Sequence, residues 1–390
     1  MSVQGIIFVI NQIVVIGAII HVLMDNRQPA KTVAWALVIY FVPVIGIIAY
    51  LFFGINTRKE RLVSKRSMDQ LKRRSMLEYV EQRQLLLPEQ HRPVIDLFVN
   101  ENFALPFNHN KIDVLTSGYD FFPSLLRDIA NARSHIHICI YIFEDDALGQ
   151  LVSDALIAKA RQGLEVRVVY DDVGCWKVSN RFFERMRVEG IEVEPFMPVR
   201  FPSFARRANY RNHRKIYVID GSVGYVGGMN IALRYVKGLD VKPGSRKSAG
   251  DSTEHAPLWR DTMLRIEGRG VFSLQQAFLV DWYFVDRTLL SDRKYYPTLN
   301  MELSMFNVQC LVQTVTSGPT SPFPEIMQGY VRVIMAARSY VYIETPYFLP
   351  TSAVLYALKA AAQSGVDVRV LIPRKGDAKF ISWASRSYMR

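Results

Sequence analysis

The chain repeats part of itself, and this repetition constrains its fold more than any other feature. The segment VLTSG at Val114–Gly118 recurs as TVTSG at Thr314–Gly318, an offset of 200 residues. NARSHIHICIYIF is matched by AARSYVYIETPYF at an offset of 205 residues, and QGLEVRVVYDD is matched by SGVDVRVLIPR at an offset of 202 residues. Three matches in the same order and at nearly constant spacing indicate duplicated modules.

Each copy is predicted to contain the same order of helices and strands. A proline, Pro123 or Pro324, is expected to start the first helix of each copy. Strand, helix and strand then follow, and this alternation predicts a mixed α/β sheet covered by helices. The predicted elements are Ile136–Phe143, Leu148–Arg161 and Glu165–Tyr170 in the first copy, and Val341–Phe348, Ala353–Ser364 and Asp367–Ile372 in the second.

Two uncharged apolar runs, Gly5–Met24 and Thr32–Phe53, precede the repeats. A helix rises about 1.5 Å per residue, so each run is long enough to cross a hydrocarbon core of about 30 Å. The runs therefore predict a two-helix transmembrane hairpin with both ends on one side. A signal peptide is the alternative for the first run, but no basic segment precedes it and no obvious small-x-small cleavage site follows.

The charge of the chain indicates an anionic partner and an orientation in the membrane. Its 48 Lys and Arg outnumber 36 Asp and Glu, a net charge of +12, which favours nucleic acid or an anionic membrane. Arg58–Arg74 carries eight basic and two acidic residues, whereas the loop between the apolar runs carries only Arg27 and Lys31. The positive-inside bias then predicts a multi-pass protein of the cell (inner) membrane with the bulk of the chain in the cytoplasm. Two interpretations of the basic segment remain open: it lies on anionic headgroups, or it is a solvated helix whose charges only determine the topology.

The three cysteines, Cys139, Cys175 and Cys310, have no paired spacing. Their positions imply neither a disulfide framework nor a zinc site, which suits a reducing compartment.

One short segment concentrates the residues suited to chemistry. His213 and Lys215 come just before the alternating run Ile216–Ile219, which predicts a strand, so their side chains are expected to point the same way. Asp220 and Gly221 predict a two-residue hairpin turn, after which Val223–Val226 is the returning strand.

The residues after this hairpin complete the pattern. Gly227 and Gly228 allow another backbone to come close, and Asn230 adds an amide donor. An imidazole, a fixed cation and an amide around a glycine-lined surface suit phosphoryl chemistry. The alternative is that His213 is an exposed strand residue beside a basic cluster.

The spacing H-x-K-x4-D-x6-G-G-x-N is similar to the signature of the phospholipase D superfamily (the HKD motif). The segments KTVAWALVIYFVPVIGIIAYLFFGINTRK, RNHRKIYVIDG, WRDTMLRIEGRGV and TPYFLP resemble bacterial cardiolipin synthases, and the likeness runs from about residue 25 to the last residue. It implies an α/β fold of duplicated phospholipase D-like α-β-α sandwich modules behind the transmembrane hairpin.

The resemblance also implies a domain organisation and two departures from the family. The transmembrane hairpin is expected over residues 1–57, a basic juxtamembrane linker over 58–109, the first module over 110–306 and a partial second module over 307–390. Equal spacing puts a second motif near position 415, and no histidine follows His255, so the 390-residue form alone is expected to be inactive or nearly so. The second departure is Val236–Pro257, a Gly/Ser/Lys-rich stretch that is expected to form a surface loop. This loop is either a plain insertion or a segment that covers the site.

The family mechanism assigns roles to the motif residues. His213 is expected to attack phosphorus and form a phosphohistidine while the histidine of the other motif protonates the leaving alcohol, although the reverse assignment stays open. Asp220 is expected to support the turn. Asp261 is expected to orient the imidazole, or else to form a surface ion pair with Arg260 or Arg265. Lys215, a catalytic residue in this assignment, and Asn230 are expected to hold the phosphoryl oxygens as charge develops. Substrate binding is assigned to Asn230, Gly227, Gly228, Arg211 and Arg214.

The implied reaction transfers a phosphatidyl group between two phosphatidylglycerols and yields cardiolipin and glycerol. Its partners are these anionic phospholipids and the membrane rather than nucleic acid, and neither a cofactor nor a metal is implied. His135 and His137 share a strand face, but two imidazoles without a third ligand are more often ordinary strand residues. The arginines beside the motif either recruit lipid headgroups or only solubilise the surface; they are Arg206, Arg207, Arg211 and Arg214.

Two other functions remain open from the sequence. The first is a membrane-tethered phosphodiesterase or nuclease whose site is completed in a homo-oligomer, as in single-motif members of the superfamily. The partial second module argues against it, because a single-motif protein needs no further half-copy. The second is an inactive fragment that binds anionic lipid or pairs with a longer copy.

Overall fold

A computed structural model describes residues 2–24, 29–54, 87–102, 104–198, 210–237, 259–297, 310–318, 321, 324–374, 376 and 379–389. The predictions for Arg58–Arg74, Arg206, Arg207 and most of Val236–Pro257 lie outside these residues. The chain forms two compact units, Met1–Val80 with Phe107–Val312 and Glu81–Pro106 with Gln313–Arg390. The domain boundaries given above stay predictions.

The first apolar run forms one long helix, α1, over Val3–Met24. Its 22 residues and mean hydropathy of 2.6 make it long and apolar enough to cross a membrane. The second run is divided into α2 (Pro29–Phe41), α3 (Pro43–Ala49) and a π-helical turn over Tyr50–Gly54. The break falls at Val42, whose φ of −133° is extended, because Pro43 disfavours a helical conformation in the residue before it. The second crossing therefore remains a prediction.

Eight strands of the first unit form one twisted sheet in the order β4-β3-β2-β5-β6-β7-β1-β8. Strands β2, β3 and β4 are parallel, and β5, β6, β7 and β1 continue the sheet in antiparallel steps. The strands are β1 (Pro106–Leu115), β2 (His135–Ile140), β3 (Glu165–Asp171), β4 (Glu192–Phe196), β5 (Ile216–Ile219), β6 (Val223–Gly227), β7 (Met263–Gly268) and β8 (Cys310–Gln313).

Helices cover both faces of this sheet, as the α-β-α prediction requires. Alternate residues of β2 point to opposite faces, so Ile136 and Ile138 join the core formed with the helices of one face. His137, on the other face, stacks on Phe278 of the helix that covers that side, with 4.4 Å between ring centroids. The helices that follow β1 in this unit are α5 (Gly118–Asn131), α6 (Ala147–Arg161), α7 (Asn180–Val188), α8 (Arg234–Lys237) and α9 (Val271–Asp286). Helix α4 (Arg92–Asn102), which precedes β1 in the chain, belongs to the second unit.

The predicted start of the first helix at Pro123 is wrong. Helix α5 begins at Gly118, because the side chain of Ser117 accepts a hydrogen bond from the backbone N–H of Asp120 at 3.2 Å and caps the helix there. Pro123 lies inside the helix. In the second copy Pro324 directly precedes the first helical residue, as predicted.

The second unit contains the matching elements of the other copy. Strands β9 (Tyr340–Glu344) and β10 (Asp367–Leu371) are parallel, and Tyr340 pairs with Asp367 just as His135 pairs with Glu165 in the first unit. The element order and the register therefore agree with the sequence repeat. The helices of this copy are α10 (Glu325–Ala336), α11 (Ser352–Gln363) and α12 (Lys379–Ser387).

Candidate active site

The topology of the large sheet gathers the motif residues at one edge. Strands β2 and β3 both end at this edge, and β5 begins there because it runs antiparallel to β2. We call it the upper edge. Ligand sites of open α/β sheets commonly lie at the carboxyl ends of the parallel strands. His213 and Lys215 lie at the upper edge, immediately before β5 rather than within it.

His213 and Lys215 are brought together, as their spacing predicts. Lys215 Nζ lies 3.1 Å from His213 Nδ1 and donates a hydrogen bond of 2.7 Å to the carbonyl oxygen of His213. Tyr141, at the end of β2, contacts both: its ring centroid is 4.4 Å from that of His213 and 5.1 Å from Lys215 Nζ. The imidazole is exposed, whereas Lys215 is only 2% exposed. A cation is therefore held beneath an accessible imidazole.

This arrangement sets the charge of both groups. Partial burial, together with the Lys215 ammonium, lowers the pKa of His213 to about 4. Burial also lowers the pKa of Lys215 to about 8, and the carboxylate of Asp261 opposes that shift. Between these two pH values the imidazole is neutral while the lysine is charged, which is the state required of a nucleophile beside an electrostatic stabiliser.

A bell-shaped pH profile follows from these two pKa values. If His213 is the nucleophile, kcat/KM is expected to fall as the pH drops through about 4, where the imidazole becomes protonated. It is also expected to fall as the pH rises through about 8, where Lys215 loses its charge. Initial rates between pH 3.5 and 9.5 measure both limbs, and a flat profile across pH 8 would contradict the role of Lys215.

Asp261 lies beside Lys215 rather than in contact with the imidazole. Its Oδ1 accepts a hydrogen bond of 2.8 Å from the backbone N–H of Thr262, and burial raises the pKa of the carboxyl group while the Lys215 ammonium opposes this shift. Among the described residues, Lys215 is the cation whose charge acts on the Asp261 carboxylate. The orienting role toward His213 stays a prediction.

The alternative ion pair between Asp261 and Arg265 is absent from the described part of the chain. Arg265 is instead held by Asp128 of α5, with 2.6 Å between Nε and Oδ2, and by Glu267 of its own strand. Arg265 and Asp128 are both buried, so this pair belongs to the core of the unit.

Gly227 and Gly228 allow the close approach predicted for them, and the group that approaches is the chain at Asp261 and Thr262. A Cβ on Gly228 would overlap the carboxylate of Asp261, and one on Gly227 would overlap the carbonyl of Thr262. The backbone N–H of Gly228 also donates to that carbonyl at 3.0 Å. The glycine pair therefore makes space for Asp261 at the upper edge.

Asn230 is buried, and its amide is used by the protein. Its Oδ1 accepts a hydrogen bond from the backbone N–H of Ile142 at 3.0 Å, and its Nδ2 donates to the hydroxyl of Tyr235 at 3.0 Å. These bonds fix the loop after β6 to the end of β2. A contact of Asn230 with phosphoryl oxygens stays a prediction.

Asp220 lies at the other end of β5, on what we call the lower edge. Its carboxylate accepts hydrogen bonds from three consecutive backbone N–H groups, those of Arg133 at 2.8 Å, Ser134 at 2.7 Å and His135 at 3.0 Å. Its φ of 52° places it in the left-handed region that Asp tolerates at turns. The hairpin loop runs from Asp220 to Ser222, one residue longer than predicted, because Ile219 pairs with Val223. Asp220 thus supports the fold far from His213.

Replacing Asp220 by Ala is expected to cost about 3 kcal/mol in the free energy of unfolding, because a charged acceptor of three bonds is lost and Ala is strained at positive φ. Asp220→Asn, which tolerates this conformation and keeps one acceptor, is expected to lose less. Urea unfolding measures both variants. A large loss of kcat in Asp220→Ala without a loss of stability would contradict the supporting role.

Arg211 and Arg214 both contact carboxylates. Arg211 donates to the carbonyl of Met197 at 3.1 Å and lies 3.7 Å from Asp171 Oδ1, and Arg214 forms an ion pair with Asp281. The structure therefore places these two cations beside buried acids. Their contact with lipid headgroups stays a prediction.

Sequence reasoning missed three residues of this edge, namely Tyr141, Asp171 and Asp281. Asp171, at the end of β3, accepts from the backbone N–H groups of Val173 and Gly174 at 3.0 Å and of Asn212 at 2.9 Å. Asp281 of α9 accepts from Asn212 Nδ2 at 2.8 Å. The available signals were the acid that ends the strand VRVVYD and the acid inside the apolar helix segment FLVDWYF.

His135 and His137 are fully buried and hydrogen-bonded within the fold. Gln275 lies between them, with Oε1 3.1 Å from His135 Nε2 and Nε2 2.8 Å from His137 Nδ1. Arg167 lies 3.2 Å from the other nitrogen of His137, and burial lowers the pKa of both imidazoles. The described residues contain no group of three or more His, Cys, Asp or Glu arranged to hold a metal ion.

Comparisons with known proteins place this fold and motif in a family. A family model described as cardiolipin synthase, PLD-like domain, matches residues 125–238 and 330–390, and one described as phospholipase D-nuclease N-terminal matches residues 13–54. A cardiolipin synthase of Oceanobacillus iheyensis is 38% identical, with 98% of this chain and 77% of that protein covered. The major cardiolipin synthase of Bacillus subtilis is 36% identical with the same coverage. Among solved structures, the phosphatidylserine synthase of Haemophilus influenzae has a TM-score of 0.49 at 14% identity, covering 77% of this chain and 72% of that one.

The sheet, the covering helices and the motif segment define a phospholipase D-type α/β protein. The identities to the curated relatives extend over most of both chains, and the chain therefore belongs to the cardiolipin synthase family of that superfamily.

Proposed function

We propose that the protein is a phosphatidyltransferase that makes cardiolipin and glycerol from two molecules of phosphatidylglycerol. Membership of the cardiolipin synthase family supports this function. The single structural observation that carries it is the Lys215 ammonium held 3.1 Å from the exposed imidazole of His213. An accessible nucleophile with a fixed cation beside it suits attack on an anionic phosphodiester.

The reaction proceeds in two balanced displacements. In the first, a ring nitrogen of His213 forms a bond to phosphorus, the bond from phosphorus to the headgroup glycerol breaks, and a second acid protonates the departing oxygen. In the second, the glycerol hydroxyl of another phosphatidylglycerol attacks the phosphohistidine, its proton returns to that second group, and the P–N bond breaks. The family resemblance assigns the second group to the histidine of the other motif. One phosphodiester replaces another, so no energy-rich co-substrate is needed.

The hydrogen bond between Lys215 and Nδ1 has a consequence for the first step. An ammonium only donates, so Nδ1 carries the lone pair, and the proton of the neutral ring lies on Nε2. Attack by Nε2 requires the other tautomer. Once a substrate phosphoryl oxygen draws Lys215 away from Nδ1, the ring proton can move by way of solvent from Nε2 to Nδ1. Asp261, the carboxylate beside Lys215, can then accept a hydrogen bond from Nδ1–H. In this order of events, Asp261 orients the imidazole only after the substrate has bound.

The exposed surface of the upper edge fits a lipid substrate. The loop after β3 is fixed to the His213 segment because Asp171 accepts hydrogen bonds from both. Trp176 in this loop is 75% exposed, and Lys177 beside it is exposed as well. An indole next to a cation is suited to the headgroup region of a bilayer.

Trp176→Ala is therefore expected to reduce turnover of phosphatidylglycerol in vesicles by about tenfold, because an exposed indole contributes on the order of 1–2 kcal/mol at an interface. Turnover of a short-chain, monomeric phosphatidylglycerol is expected to stay unchanged. Val188→Ala, at an exposed apolar position at the end of α7, is the control. Equal rates of wild type and Trp176→Ala on vesicles would exclude this contribution.

The membrane topology is part of the proposal. Helix α1 and the second apolar run cross the inner membrane as a hairpin, with the sheet-bearing unit in the cytoplasm. The support is the length and apolarity of α1 and the excess of basic residues in Arg58–Arg74. Cysteines introduced at Arg27 and Arg58 test it, since an impermeant maleimide added to intact cells should label only the first.

The test of the function uses the full-length protein, meaning a version that also carries the second motif predicted near position 415, in phosphatidylglycerol vesicles. Cardiolipin measured by lipid chromatography and glycerol measured enzymatically should appear in equal amounts. Phosphatidic acid without cardiolipin would indicate a phosphodiesterase, and cleavage of single-stranded DNA would indicate a nuclease. Binding of the lipid without any product would indicate a lipid-binding protein.

A further inference from the structure

A buried carboxylate on helix α9 holds the residues on both sides of His213. Asp281 is 5% exposed. Its Oδ2 accepts a hydrogen bond from Asn212 Nδ2 at 2.8 Å, and its Oδ1 forms an ion pair with Nη1 of Arg214. One acid therefore contacts the residue before the candidate nucleophile and the residue after it.

Further bonds leave this segment little freedom. The backbone N–H of Asn212 donates to Asp171 at 2.9 Å, and the backbone N–H of Arg214 donates to Asn212 Oδ1 at 3.1 Å. Two acids on different elements thus hold this segment: Asp171 of β3 contacts Asn212, and Asp281 of α9 contacts Asn212 and Arg214. Within this tripeptide His213 is exposed, Asn212 is buried and Arg214 is half-buried.

The energetics indicate a purpose beyond stability. Burying the Asp281 carboxylate costs several kcal/mol, and an apolar residue of similar volume often serves a core as well. An ion pair fixes direction, because each bond has a defined geometry. Displacing a reacting group by about 1 Å can cost about 100-fold in rate. A directional constraint placed on both neighbours of His213 is therefore in the right position to affect catalysis.

We propose that Asp281 is a positioning residue that fixes the backbone of Asn212 and Arg214 so that the imidazole of His213 faces the substrate phosphorus. The inference rests on the proposed function. Asp281 acts through its two neighbours and does not touch the substrate.

The test compares two buried carboxylates of the same unit. Asp281→Asn keeps an acceptor for Asn212 but removes the charge that Arg214 requires. Asp128→Asn is the matched control, since Asp128 is also buried and pairs with an arginine, Arg265, on another element. Both variants are expected to lose stability, so rates are measured well below both unfolding midpoints and corrected for the folded fraction.

At that temperature Asp281→Asn is expected to lower kcat by about 100-fold with KM within about twofold of wild type. Asp128→Asn is expected to keep kcat within about twofold. Asp281→Ala, which also loses the bond to Asn212, should be slower than Asp281→Asn. Equal losses in Asp281→Asn and Asp128→Asn, or full activity in Asp281→Asn, would overturn the proposal.

A second measurement separates this proposal from the proposed function. The ¹⁵N resonances of the His213 ring, assigned by comparison with His213→Ala, are expected to shift in Asp281→Asn and to stay in place in Asp128→Asn. If wild type makes no cardiolipin but these shifts occur, the positioning holds and the function fails. If wild type is active and the ring resonances are unchanged in Asp281→Asn, the positioning is wrong.

Discussion

His213→Ala is expected to abolish cardiolipin formation by the full-length protein, with a fall in kcat on the order of 10⁵-fold. The reason is chemical, since no other imidazole in the described residues lies at the upper edge: His135 and His137 are buried toward α9. Without the nitrogen nucleophile the phosphohistidine cannot form. The measurement is cardiolipin and glycerol release from phosphatidylglycerol vesicles.

The control for this variant is His91→Ala, which removes an exposed histidine of the other unit. It should leave the rate unchanged, and both variants should remain in the membrane fraction. Because His213 is exposed, its replacement should leave the unfolding midpoint close to wild type. Residual turnover above about 1% in His213→Ala would contradict the nucleophile assignment and favour the reverse assignment.

Lys215→Met is expected to lower kcat by about 10²- to 10³-fold, equivalent to about 3–4 kcal/mol of lost transition-state stabilisation. Met keeps an unbranched apolar stem of similar length but removes the ammonium, and with it the charge and the contact of Nζ with the Tyr141 ring. Loss of the ammonium should also move the acidic limb of the pH profile above its value of about 4, because Lys215 contributes to lowering that pKa. The alkaline limb near pH 8 should disappear.

Lys177→Met, at an exposed lysine on the neighbouring loop, is the matched control for charge at this edge. It should change the rate on vesicles by less than about threefold and leave both limbs in place. If Lys215→Met kept its alkaline limb, another group would be responsible for it.

The sequence predicted the parts of this molecule that depend on local pattern. Alternation placed β5 and β6 and their turn close to where they lie, and the offsets of 205 and 202 residues matched equivalent pairs across two parallel ladders. The meeting of His213 and Lys215 also followed from spacing. For the hairpin of β5 and β6 and for the pair of His213 and Lys215, the residues that decide the outcome are only a few positions apart in the sequence.

The parts that were missed depend on residues far apart in sequence. Asp281 meets Asn212 across 69 positions, and no motif encodes that contact. Pro123 does not start a helix because a stronger capping signal, Ser117, lies just before it. The resemblance predicted that Asp261 lies near His213, and Asp261 does lie at the same edge of the sheet. Its close approach to Gly228 and its position beside the Lys215 ammonium depend on packing between distant segments.

The aspartate and the histidine of the motif stand at opposite ends of β5, which has four residues and is therefore about 13 Å long. The number of residues between them therefore corresponds to the length of the strand that separates the two edges of the sheet. It does not bring the two side chains into contact. Inserting a single residue into β5 would leave Asp220 anchored to the start of β2 and would turn the imidazole toward the opposite layer of helices. The number of residues between His213 and Asp220 therefore determines two things together: how far the imidazole lies from the anchored end of β5, and which face of the sheet it points to.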